Sequence, residues 1–130
     1  MKQIIKIFTL SLFGILVFSI NSFSEKIEVN GKIKGANCVI NKAYCVEDGS
    51  DPHIALENAF VLVEDNGEYY FLSNLGRINK LALLNKTIHV KGKKNGKSIL
   101  VDSVHHVDNN IIMSKVWDWG ELKKKFNNNN

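Results

Sequence analysis

The sequence lacks the residue patterns that mark most enzyme active sites. Cys38 and Cys45 are too far apart for a Cys-x-x-Cys redox motif, and neither Ser98 nor Ser103 stands in a nucleophile signature. The carboxylates are scattered, without a spacing that would place two of them across a cleft. We therefore predict a protein that is not an enzyme and that needs no cofactor.

The chain also lacks a strong excess of charge of one sign. Its 130 residues have a formal net charge of +4, and Lys2 and Lys6 contribute to that value. Both lysines precede an apolar run that is typical of a signal peptide, and their removal lowers the net charge to +2. So small a charge does not indicate a nucleic-acid-binding protein.

Only one long hydrophobic run occurs, Ile7–Ile20, and it is shorter than the roughly 20 residues of a membrane span. Lysines precede the run and Ser22-Phe23-Ser24 follows it, which predicts a signal peptide over residues 1–24 with cleavage before Glu25. An uncleaved N-terminal anchor is the alternative. No cysteine follows closely, so a lipoprotein attachment site is not expected. The predicted location is secreted or periplasmic.

The two cysteines, Cys38 and Cys45, both lie in the part of the chain that would be exported. Exported proteins fold in oxidising compartments, where a close pair of cysteines usually forms a disulfide. We therefore predict a Cys38–Cys45 disulfide.

The remaining sequence shows no internal repeat and no second domain, and its patterns indicate a mostly β fold. Five strands are predicted: Lys26–Lys34, His53–Glu64, Glu68–Ser73, Thr87–Lys93 and Lys97–Val107. In the first strand Gly31 falls on the apolar face, which favours a bulge or a sharp bend. In the second, the apolar phase slips at Glu57-Asn58-Ala59, which predicts a bulge.

Two hairpins are expected from Asn-Gly pairs between apolar runs. Asp65-Asn66-Gly67 divides the run Phe60–Leu72, and Asn-Gly is typical of a tight primed turn. Asn95-Gly96 predicts the second turn.

One helix is expected between the third and fourth strands, over Asn74–Leu84. Leu75, Ile78, Leu81 and Ala82 recur at three- and four-residue steps and form one apolar stripe. Ser73 or Asn74 can cap its start, and Asn85 suits its end.

This order of elements resembles the OB-fold, a small five-stranded Greek-key barrel. The resemblance covers Lys26–Val107 and includes Gly31 and the run Lys86-Thr87-Ile88-His89-Val90-Lys91-Gly92. That run is similar to a Gly-Lys-x-Val-x-Val-x-Gly phrase of bacterial OB-like proteins. The chain also resembles small exported bacterial proteins that combine such a barrel with an early cysteine pair. We assign residues 25–115 to this domain.

The resemblance implies a binding module for a partner protein or an anionic ligand. OB-folds often grip ligands with the loop between their last two strands, where this chain carries Lys91, Lys93, Lys94 and Lys97. Lysines at this place can meet phosphates or other anions. Tyr69 and Tyr70 point to opposite faces of their strand, so one is expected in the core and the other can stack on a planar ligand. A solvated hairpin without a ligand is the alternative interpretation.

The histidines suggest a different function, as a periplasmic metal- or haem-handling protein. His53, His105 and His106 could form a metal site, with thiolates of the cysteines as further ligands. His106 also resembles the haem-attachment histidine of an exported haem chaperone with a His-x-x-x-Tyr motif. Here Asn110 replaces the tyrosine, which argues against covalent haem attachment.

Residues 116–130 form a C-terminal aromatic and basic segment that ends in an asparagine tail, predicted to be disordered. Trp117, Trp119 and Phe126 accompany three consecutive lysines. Such a segment can dock on the barrel, on a partner protein or on an anionic membrane surface.

Overall fold

The computed structural model describes residues 24–129, so the predicted signal peptide lies outside the described residues except for Ser24. The strands are β1 (Glu25–Gly35), β2 (Phe60–Val63), β3 (Tyr69–Leu72), β4 (Thr87–Asn95), β5 (Ser98–Asp108) and β6 (Ile111–Asp118). The α-helices are α1 (Ala36–Asn41), α2 (Arg77–Ala82) and α3 (Trp119–Asn127), and a 3-10 helix spans Pro52–Leu56. The fold is mostly β, as predicted.

The prediction of five strands and one helix is wrong. The sixth strand, β6, forms a hairpin with β5 through Asn109 and Asn110, whose φ angles are 47° and 63°. Two successive positive φ angles are those of a type I′ turn, which matches the twist of the two strands. The Asn-Asn pair between Asp108 and Ile111 was therefore an overlooked hairpin signal.

The six strands form one sheet in the order β3-β2-β1-β4-β5-β6. The neighbours in this order pair antiparallel. β3 also pairs in parallel with β5, at Phe71 opposite Ser98 and Leu72 opposite Ile99. Pairing therefore runs in a closed circuit through β1, β2, β3, β5 and β4, and β6 lies outside it.

β1 belongs to both sides of this circuit because it changes partner along its length. Its residues Glu25–Lys32 pair with β4, and its residues Lys32–Gly35 pair with β2. At the change, a Cβ atom on Gly31 would lie only 2.5 Å from the carbonyl oxygen of Val63. Only glycine allows so close an approach of two backbones. The bend expected at Gly31 therefore coincides with this change of partner.

The hairpin at Asp65-Asn66-Gly67 forms, but the prediction of a primed turn there is wrong. Only Gly67 has a positive φ angle, 87°, and its N–H donates to the carbonyl oxygen of Glu64 at 3.0 Å. Asn66 Oδ1 accepts a hydrogen bond from Glu68 N at 2.8 Å. This arrangement is a three-residue hairpin loop that ends in a glycine. In the second hairpin the turn residues are Gly96 and Lys97, one position later than predicted.

The second strand is much shorter than the predicted His53–Glu64. Asp51 Oδ1 accepts a hydrogen bond from His53 N at 2.9 Å, and Pro52 opens the 3-10 helix. Proline at the first turn and a capping aspartate both favour a helical turn. The strand therefore begins only at Phe60, and the bulge expected at Glu57-Asn58-Ala59 is absent.

Helix α2 is shorter than the predicted Asn74–Leu84, and its apolar stripe is partly wrong. Ile78 is 83% exposed, whereas Leu83 and Leu84, just after the helix, are buried. Asn74 does not cap the helix. Its side chain donates to Val101 O at 2.8 Å and accepts from Val101 N at 2.7 Å. The tertiary contact to β5 thus replaces the expected local cap.

The core lies inside the strand circuit. Its largest fully buried side chains are Phe60, Ile33, Leu62, Leu72, Ile88 and Ile99. Burial of one such side chain stabilises a fold by roughly 1.5–3 kcal/mol, so this cluster supplies the main driving force for folding.

We expect the substitution Gly31→Ala to lower the free energy of unfolding by about 1–3 kcal/mol, because the new methyl group would meet Val63 O. Urea denaturation measures the change. The matched control is Gly49→Ala, whose Cβ meets no atom within 4 Å. We expect the control to change stability by no more than about 0.5 kcal/mol. Equal effects of the two substitutions would contradict the close approach of β1 and β2.

Candidate functional site

The parallel pairing of β3 and β5 brings the two predicted hairpins together at one end of the sheet. Lys94 Nζ lies 5.4 Å from the ring centre of Tyr70, and Lys97 Nζ lies 4.8 Å from that of Tyr69. Both are cation–π distances. Four of the six residues predicted to bind a ligand are therefore neighbours in space.

The two tyrosines differ in exposure, as their alternation predicts. Tyr70 is 6% exposed and belongs to the core, and burial raises the pKa of its hydroxyl group. Tyr69 is half-buried and remains available for contact with a ligand.

Lys97 is already engaged within the protein. It donates to Glu68 of the neighbouring hairpin, and this hydrogen bond lowers the pKa of Glu68 and raises the pKa of Lys97. A lysine whose charge is matched by a carboxylate attracts an external anion weakly, so Lys97 contributes less to a binding surface than the sequence suggests.

The cation–π contacts of the tyrosines among the described residues do not include Lys91 or Lys93. Lys91 Nζ is 3.2 Å from Glu28 Oε1. Lys93 is exposed and stands directly opposite Lys26 of β1. Among residues 24–129, neither Lys26 nor Lys93 forms an ion pair with a carboxylate. These two lysines are called the lysine pair below.

Lys26 was missed by the sequence analysis. It reads as an ordinary outward residue of an alternating strand, far from the lysine-rich hairpin in the chain. Only the register between β1 and β4 places it beside Lys93. The sequence contains no local signal for this neighbour.

The predicted Cys38–Cys45 disulfide is confirmed, with the two Cα atoms 4.8 Å apart. Cys38 lies in α1, and Cys45 lies in the loop that follows Lys42, whose φ angle of 56° ends the helix. The bond ties α1 to the loop that leads to the 3-10 helix. Because the two sulfurs are bonded to each other, neither is available as a thiolate ligand for a metal.

The histidines do not converge on a metal site. In the described part of the chain, no three residues among histidine, cysteine, aspartate and glutamate are grouped so that they could hold a metal ion. His53 Nδ1 lies 2.9 Å from Asp51 Oδ1, and its ring lies 4.6 Å from that of Tyr44. His106 lines a small cavity beside α2 and Trp117. The haem hypothesis stays a prediction.

His89 is the most deeply buried histidine among the described residues, with 5% of its surface exposed. Its Nδ1 lies 2.6 Å from Asn30 Oδ1, and its Nε2 lies 3.6 Å from Glu28 Oε2. Its ring is 6.4 Å from that of His105. Burial lowers the pKa of His89, and Lys91 and His105 lower it further, whereas the charge of Glu28 raises it. The neutral imidazole is thus favoured in the folded protein.

This burial predicts that the protein loses stability in mild acid. Because the pKa of folded His89 lies below its ordinary value of 6.5, the unfolded chain takes up the proton first as pH falls. Stability contributed by neutral His89 is therefore present above pH 6.5 and declines below it. The test measures the urea midpoint at several pH values between neutral pH and pH 5, and it compares the unchanged protein with the His89→Gln variant.

We expect the variant to show a shallower pH dependence over this window, with a difference of at most about 1.4 kcal/mol per pH unit. Identical pH profiles for the two proteins would contradict the assignment to His89.

The C-terminal segment packs partly against the sheet. Trp117 is the second-last residue of β6 and packs against the core cluster, and the ring of Trp119 stacks on the ring of Trp117 with centres 6.1 Å apart. Asp118 caps α3 by accepting from Glu121 N at 3.0 Å. Phe126 remains exposed. Of the three aromatic residues proposed for membrane contact, only Phe126 is therefore freely accessible.

The sequence matches no protein-family model, and it shows no significant similarity to a curated protein or to a solved structure. Between residues 24 and 129, none of the helices has the length and apolar character needed to cross a membrane.

Proposed function

We propose that this chain is an exported, non-enzymatic binding module with an OB-like barrel, and that it binds an anionic ligand through the lysine pair, Lys26 and Lys93. The closed circuit of five strands supports the barrel, since OB-folds join their strands in this way. Helix α2 between β3 and β4 agrees with the same topology. The disulfide supports export, because such bonds persist in oxidising compartments.

The observation that supports an anionic ligand is the lysine pair itself. Like charges directly opposite each other on neighbouring strands destabilise a sheet. Lys26 and Lys93 are such a pair, and neither forms an ion pair with a carboxylate among the described residues. An anion that bridges the two ammonium groups would remove the repulsion. Leu100 of β5 is exposed and stands opposite Lys93 on the side of β4 that faces away from β1. It adds an apolar contact beside the charges.

Charge reversal of the lysine pair tests this proposal. We expect the double substitution Lys26→Glu and Lys93→Glu to weaken binding of a fluorescent inorganic polyphosphate by roughly tenfold or more. Two attractive contacts become repulsive, and the affinity of the unchanged protein should fall as salt is added. Fluorescence anisotropy at low salt provides the measurement.

The matched control is the double substitution Lys123→Glu and Lys124→Glu in α3, which changes the net charge by the same amount. We expect it to retain most of the affinity. If both double variants lose affinity equally, binding depends on net charge alone and the assignment to the lysine pair is wrong. If neither loses affinity, this surface does not bind anions.

Export has its own test, the intact mass of the protein recovered from the exported fraction. We expect a chain that begins at Glu25, is two hydrogens lighter than its reduced form, and does not react with a thiol-blocking reagent. Recovery of the full-length chain would favour the N-terminal anchor instead. Two reactive thiols would contradict an oxidised Cys38–Cys45 pair.

A further inference from the structure

Glu57 is a buried carboxylate without a cationic partner. It is 4% exposed, and its Oε2 accepts one hydrogen bond, from Asn37 N at 3.1 Å. The nearby guanidinium of Arg77 donates instead to the backbone oxygens of Glu57 and Ile54, at 2.7 and 2.9 Å. Among residues 24–129, no basic side chain forms an ion pair with the Glu57 carboxylate. Buried glutamates are normally paired with a cation, whereas this one is held by a backbone N–H in the first turn of α1.

A cavity of about 180 Å³ lies against Glu57, between α1 and the segment before β2. A water molecule needs only roughly 10–15 Å³ of such space, so the cavity can hold a group of several heavy atoms. Its walls include Asn37, Ile40, Asn41, Leu56, Glu57 and Asn58. No basic or aromatic residue lines it.

The polar atoms of this cavity suit a donor with a positive charge. Asn41 Nδ2 donates to Asn37 Oδ1 at 2.6 Å, which leaves Asn41 Oδ1 as an acceptor on a residue that lines the same cavity as Glu57. A primary ammonium has three donors and no acceptor, so it can donate to the Glu57 carboxylate and to the amide oxygen of Asn41. A quaternary ammonium would need aromatic walls.

The apolar residues of the cavity suit an alkyl chain. Ile40 is 44% exposed and Leu56 is 69% exposed, so both present apolar surface to solvent beside the buried carboxylate. A lysine side chain has four methylene groups below its ammonium, and such stems lie readily along apolar surface.

We propose that this cavity binds the side chain of a lysine residue presented by a partner protein, with Glu57 as the counter-charge of the ammonium group. The cavity and the lysine pair lie at opposite ends of β1, since Gly35 precedes α1 and Lys26 stands near the other end. The two sites are therefore separate, and this inference does not depend on anion binding.

The test uses the disulfide-bonded protein and a small probe, Nα-acetyl-lysine methylamide, followed by backbone amide shifts in NMR. We expect saturable shifts confined to residues 36–41 and 56–59. The neutral analogue Nα-acetyl-norleucine methylamide should cause none of comparable size. The substitution Glu57→Gln keeps the acceptor for Asn37 N but removes the charge, and we expect it to weaken probe binding by about tenfold.

A second variant protects the test against misfolding of the first. Asn58→Lys lies at an exposed position and places an internal ammonium beside the cavity, so it should also block the probe. Asn128→Lys, at the end of α3, is the control with the same charge change and should bind normally. The proposal is overturned if Glu57→Gln folds and binds the probe as well as the unchanged protein does, or if Asn58→Lys has no effect. Equal binding of the norleucine analogue would also overturn it.

Discussion

The change of partner along β1 is the constraint on which the rest of this structure depends. One strand pairs first with β4 and then with β2, and it can do so because Gly31 has no side chain between the two backbones. This bend lets the sheet return on itself until β3 meets β5. The hydrophobic core then lies inside the circuit, and the two hairpins meet at one end of it. The loop with the disulfide lies at the other end of β1.

Charged groups without an ion-pair partner among the described residues stand at these two ends, and the two ends have opposite signs. The lysine pair lacks a carboxylate, and Glu57 lacks a cation, among the residues that the structure describes. Each arrangement is unfavourable for the isolated fold, because repulsion or desolvation opposes it. Natural proteins keep such costs mainly where a ligand relieves them. The proposed anion site and the proposed cation site therefore lie at opposite ends of β1.

Some elements of the fold were predicted correctly from the sequence, and others were not. Alternation correctly predicted β1, β4 and β5, because one face of each strand is largely buried and the other is more exposed, with buried His89 of β4 as an exception. The same rule failed at His53–Leu56, where Asp51 and Pro52 start a 3-10 helix although the apolar residues alternate. The helical spacing of three and four residues was also misleading at Ile78, which lies in the short helix α2 but is 83% exposed. A local sequence pattern indicates the periodicity of a segment. Burial of its side chains depends on which other elements of the fold pack against that segment.

The sequence by itself determined the mostly β class, two of the three hairpins to within one residue, the glycine at which β1 changes partner, and the pairing of two nearby cysteines. These features depend on local backbone preferences or on short separations along the chain. Only the tertiary structure decided that Lys26 stands opposite Lys93 and that Glu57 is buried without a cation. Both facts arise from register and packing between distant segments, and distances of this kind are set by the closing of the sheet.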